Sequence, residues 1–220
     1  AVLGERNVNT EIVSLAVSSR NEAALVIGRP NGIAVRVTLD GMAVGNVTMQ
    51  TVAAAATVRS QPAYSPDGAL LAVIRSTGNG AEAVLDFINT ADNTSVQTVA
   101  LGKLYSINAA AFSPDGKSFA TGAYTSYPDT FQPITLWDVA TGEPLQRFGD
   151  GKSTRPSLRL AFAVEGDYLL ASDEGAITTQ YPLTPTHTLR TISSHRGGVW
   201  DVTLSPTGEW AVTAGDDHHV

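Results

Sequence analysis

The sequence predicts an all-β chain made of repeats of one four-stranded antiparallel unit, on three observations. A tight-turn motif recurs at near-constant spacing, an apolar run follows each copy, and no segment sustains helical periodicity over three turns. Of the 220 residues, 43% are apolar and 16% charged, enough apolar material for a substantial core and unlike a disordered chain.

The turn motif comes first because it sets the period. Ala63-Tyr64-Ser65-Pro66-Asp67-Gly68, Ala111-Phe112-Ser113-Pro114-Asp115-Gly116, Ala161-Phe162-Ala163-Val164-Glu165-Gly166 and Thr203-Leu204-Ser205-Pro206-Thr207-Gly208 align on their final glycines, and a weaker copy ends at Asn21. The steps from Asn21 to Gly68, Gly116, Gly166 and Gly208 are 47, 48, 50 and 42 residues. Pro fixes φ, Asp or its substitute bonds locally, and Gly or Asn accepts the left-handed conformation, so each copy predicts a strand-turn-strand junction. The period is close to that of a four-stranded propeller blade, about 40–45 residues.

Each turn is followed by a second strand: Leu70–Ile74, Ser118–Thr121, Tyr168–Ser172 and Trp210–Thr213. These near-continuous apolar runs predict strands buried on both faces. A third strand is clearest at Ile134–Val139; a polar turn, Ala140-Thr141-Gly142-Glu143, leads from it to an outer strand at Pro144–Phe148. The alanine run 53–56 is flanked by Thr51, Val52, Thr57 and Val58, and β-branched flanks predict a loop-to-strand passage rather than a helix.

Composition removes several function classes. Fourteen basic and twenty-one acidic residues give a net charge of −7, and no basic patch gathers to neutralise phosphates, which disfavours nucleic acid as a partner. Without cysteine there is no disulfide framework, thiolate zinc site or cysteine nucleophile. No apolar run approaches the roughly 20 residues of a membrane-spanning helix, so no membrane insertion is expected. Compartment is left open, with the cytoplasm favoured.

With these residues in hand the chain resembles the WD40 repeat family. The resemblance is carried by Trp137-Asp138 closing a third strand, by the Ser-Pro-Asp-Gly turns, and by Ser194-His195 ahead of Val199-Trp200-Asp201-Val202. In that family a His before the first strand, a Ser or Thr in the second, an Asp in the next turn and the Trp of the third strand form a hydrogen-bonded set. The resemblance implies this role for His195, Thr213 and Asp217 in the last repeat, and for Thr121 and Trp137 in the third, whose preceding loop has no His. Other repeats depart from the pattern, with Val37, Phe87 and Tyr181 aligned to Trp137, and Thr38, Ile88 and Pro182 to Asp138.

The implied organisation is a single propeller segment over 1–220, with blades at about 11–50, 57–102, 103–154, 155–197 and a truncated one at 198–220. Four and a half blades leave the ring incomplete. The expectation is therefore a fragment of a longer propeller, with further blades supplied by the rest of its own chain or by another chain, and residues 1–4 available to complete the last blade.

Gly-x-Ser-x-Gly and His-Glu-x-x-His do not occur. Gly149-Asp150-Gly151-Lys152-Ser153 has the end of a phosphate loop, but Gln146 stands where its first glycine belongs and no helix follows. His218 and His219 are adjacent and point to opposite sides of a strand, which is unsuited to chelation. No catalytic residue, cofactor or metal is expected. Asn46-Val47-Thr48 and Asn93-Thr94-Ser95 fit the glycosylation triplet, a pattern common by chance.

What remains is an interaction surface. The insertion 124–131 places Tyr124, Tyr127 and Phe131 in a polar loop between second and third strands, where aromatics supply contact area at small entropic cost. By the resemblance Arg75 and Arg196 contribute to the same face. The expected function is a non-catalytic scaffold for a protein or peptide partner. The alternative is the propeller part of a larger enzyme, such as a serine peptidase, whose catalytic domain lies outside this segment.

Overall fold

The computed structural model describes residues 11–18, 23–29, 33–39, 47–53, 62–77, 82–102, 106–124, 134–149, 157–193 and 195–220. Among them there is no helix. The chain divides into two compact units, Ala1–Lys103 and Leu104–Val220.

The first unit holds two four-stranded sheets. One runs β1 (Glu11–Val17), β2 (Ala23–Arg29), β3 (Ile33–Leu39), β4 (Val47–Ala53), and the other β5 (Ala63–Tyr64), β6 (Leu70–Thr77), β7 (Glu82–Asn89), β8 (Ser95–Gly102). In the second unit β9 (Ser106–Phe112), β10 (Ser118–Tyr124), β11 (Ile134–Asp138) and β12 (Pro144–Phe148) make a third sheet. A fourth contains β13 (Ser157–Phe162), β14 (Tyr168–Asp173), β15 (Ile177–Pro182) and β16 (Arg190–Ser193); β17 (Val199–Leu204) pairs with β18 (Ala211–Gly215). Each strand pairs antiparallel with its neighbour in sequence, as short connections require. These are β-propeller blades.

The turn motif explains why the blades repeat. In 65–70 the Ser65 hydroxyl donates to Asp67 Oδ1 at 2.6 Å and accepts the Leu70 N–H at 2.8 Å, while Asp67 Oδ1 accepts the Ala69 N–H at 2.9 Å. Ser113, Asp115, Lys117 and Ser118 make the same bonds at 2.6, 2.9 and 3.0 Å. Gly68, Gly116, Gly166 and Gly208 share a φ of 70–72°, the left-handed region where a Cβ is costly.

Apolar burial follows the strand order in the second and third sheets, whereas Trp210 and Val212 of the last hairpin, expected to be buried, are exposed. Leu71, Ala72, Val73 and Ile74 of β6 are all buried, whereas Pro144–Arg147 of the outer strand β12 are exposed and only Phe148 turns inward. In the second unit β13 packs beside β9 and β17. A core of Ala109, Ala120, Ile134, Leu136, Phe148, Leu160, Leu169 and Ala171 joins the third and fourth sheets, and Phe112 meets Phe119 edge-on at 4.8 Å.

One alignment made from sequence is corrected. Trp137 pairs with Phe119, and the equivalent register pairs Leu71 with Ile88, so Ile88 rather than Phe87 stands at the tryptophan position and Asn89 at that of Asp138. The turns agree: Asn93 takes φ 61° where Gly142 takes 73°, and the N–H groups of Asn93 and Gly142 bond the carbonyls of Asn89 and Asp138. A one-residue slip exchanges the two faces of a strand, and both Phe87 and Ile88 are apolar, which hid the slip. The alanine run beyond Ala53 and residues 1–4 lie outside the described residues.

Candidate functional site

His195 sits just before β17 and Asp217 just after β18, at the end of this hairpin opposite its Ser205–Gly208 turn. The imidazole is buried. Its Nδ1 lies 2.8 Å from Asp217 Oδ1 and its Nε2 lies 2.8 Å from Thr213 Oγ1. A carboxylate only accepts, so Nδ1 carries a proton. Asp217 Oδ2 also accepts the Arg196 N–H at 2.9 Å. The His195 hydrogen bond, followed by the Arg196 N–H, holds the Asp217 carboxyl well below the usual carboxylate range.

The set depends on a glycine that the sequence reading passed over. A Cβ on Gly215 would stand 2.5 Å from His195 Nδ1 and 2.6 Å from its Cγ, so the ring occupies the space a side chain would need. Beside it, the Trp200 indole N–H donates to Asp216, although the Trp200 ring is half exposed.

In the third sheet the Trp137 indole N–H donates to Thr121 Oγ1 at 2.9 Å, both side chains buried. The fourth sheet has Ala171 and Tyr181 at the matching positions, and Tyr181 packs on Phe148 with ring centres 5.3 Å apart. The second sheet carries a different polar set. Asp86, buried in β7, takes the Arg75 Nε–H of β6 at 2.5 Å and the Thr98 hydroxyl of β8 at 2.7 Å. An Asp inside the apolar run Val84-Leu85-Asp86-Phe87-Ile88 was the available signal, since a buried carboxylate needs a partner.

The residues predicted for interaction are distributed as follows. Tyr124 ends β10, and Tyr127 and Phe131 lie outside the described residues. Arg75 belongs to the first unit, with its guanidinium on Asp86; Arg196 belongs to the second and is exposed.

Residues 186–220 match the WD40 family, described as WD domain, G-beta repeat. This segment is a WD40 repeat. It contains His195, Thr213 and Asp217, so the bonded set lies wholly inside the WD40 segment. No curated protein matches the sequence. Among solved structures the chain is similar to Kuenenia stuttgartiensis hydrazine synthase, with a TM-score of 0.70 and 18% identity over 93% of this chain and 68% of that one. At that identity the likeness is one of fold, and the fold it shares with the WD40 segment and its neighbours is the propeller blade.

Proposed function

We propose that the chain is a non-catalytic scaffold whose loops bind a protein or peptide partner. The observation that carries this reading is the WD40 repeat at 186–220, because WD40 domains generally mediate protein interactions. Its buried His195 is bonded to the half-buried Thr213 and Asp217, which ties the two ends of one hairpin together. Binding then falls to surface residues of the second unit, with the exposed Arg196 and the sequence-predicted insertion residues Tyr124, Tyr127 and Phe131 as the first candidates.

The test is affinity capture on the immobilised chain, with captured proteins identified by mass spectrometry and re-measured singly with purified material. The triple variant Tyr124→Ala/Tyr127→Ala/Phe131→Ala is expected to lose at least tenfold in affinity for the captured partner. Unchanged affinity overturns the site assignment, and failure of every candidate to bind as purified protein overturns the scaffold reading.

A further inference from the structure

Between the turns of the third and fourth sheets there is a cavity of about 480 Å³, within the range of about 300–1,000 Å³ typical of ligand sites. Its apolar lining is Leu136, Phe162, Val164 and Leu183, and its acidic lining is Asp115 and Glu165. Phe162 and Leu183 are the half-buried margin of the core, and Val164 keeps 41% of its surface exposed. No Lys or Arg lines the cavity.

The turns beside this space are in contact with one another. A Cβ built on Gly166 would sit 3.8 Å from Pro114 Cδ, and one on Gly208 would sit 3.7 Å from Val164 Cγ2. The second residue of each turn thus meets the glycine of the next, and successive turns stack in one row. Asp115 is anchored by the Ser113 hydroxyl and the Lys117 N–H, which together hold its carboxyl below the ordinary range. Lys117 is the neighbouring cation; it is exposed and outside the lining.

We propose that this cavity binds an arginine-bearing segment of a partner protein, its guanidinium on Asp115 and Glu165 and its stem and an adjoining apolar side chain on Leu136, Phe162, Val164 and Leu183. The occupant is chosen by complementarity. A long cationic side chain lays its methylenes along apolar surface while its head reaches the rim. Arginine suits two carboxylates better than lysine does, since its planar fork bonds them in pairs and is less strongly hydrated. A chain of net charge −7 also steers cationic partners toward itself. The proposal rests on the scaffold reading but names a different site. The cavity is at the Ser113–Gly116 end of β10, and the Tyr124–Phe131 connection leaves from the opposite end.

The experiment titrates the ¹⁵N-labelled chain with acetyl-Leu-Arg-Leu-amide and with its twin carrying citrulline, a neutral near-isostere, in place of arginine. The expected result is saturable amide shifts at Asp115, Gly166 and Ser118 with a Kd of order 1 mM or below, at least tenfold weaker binding of the citrulline peptide, and loss of affinity in 0.5 M NaCl. Glu165→Lys should abolish the shifts. Glu165→Gln, which leaves the Ser113–Asp115 hydrogen bonds of the neighbouring turn in place, should weaken binding several-fold with an unchanged melting temperature. Equal binding of both peptides, or no shift at these turns at 5 mM, overturns the proposal. Shifts confined to 124–131 also overturn it while leaving the scaffold reading standing.

Discussion

At the residue scale the His195 set shows how a WD40 repeat spends its polar side chains. Nδ1 and Nε2 each reach a partner at 2.8 Å, and the ring fills the space over Gly215. Gly215→Ala must displace either the imidazole or the strand, since 2.5 Å is far inside a van der Waals contact. A loss of about 2 kcal/mol is expected from the forced repacking, read as a lower urea midpoint with an unchanged m-value. Thr121 and Trp137 were legible because both residue types sit at their family positions. Gly215 was not, because a glycine near a strand end has many explanations and only the position of the ring selects one.

At the element scale the second, third and fourth sheets share a turn closed by a left-handed glycine but use different internal ties. The third sheet has the Trp137–Thr121 bond, the second has Asp86 between Arg75 and Thr98, and the fourth packs Tyr181 on Phe148. Arg75→Ala would leave Asp86 buried with one partner gone, and a cost of about 3 kcal/mol is expected by chemical denaturation, the order found when one member of a buried pair is removed. The strands and their order could be read from the sequence because turn chemistry recurs every blade. Register within β7 could not be read from its aromatic residue. It follows instead from the left-handed residue closing the next turn, Asn93 or Gly142, and alignment on that position would have placed Ile88 opposite Leu71.

At the scale of the whole molecule, acid response follows from carboxylates held low by hydrogen bonds. Asp92, Asp115, Asp138 and Asp217 are all held below the ordinary carboxylate range when folded, by hydrogen bonds from Thr94, Ser113, Thr141 and His195 in turn. A depressed folded pKa gives stability that is present above the unfolded value and is lost as pH falls through the folded one. Thermal melts should therefore be insensitive to these four groups above about pH 5 and fall steeply below about pH 4. Asp217→Asn should flatten that acid limb; a limb of unchanged steepness would assign the acid loss elsewhere.

The central claim is that polar side chains inside the blades hold the scaffold while loop residues bind the partner. It is tested most directly by measuring, for one captured and purified partner, both Kd and melting temperature in His195→Ala and in the Tyr124/Tyr127/Phe131 triple alanine variant. The account predicts that His195→Ala lowers stability by about 3 kcal/mol with affinity within twofold of the parent, and that the triple variant keeps its melting temperature and loses affinity at least tenfold. An intact melting temperature with lost binding in His195→Ala would contradict it, because His195 would then belong to the binding site rather than to the blade.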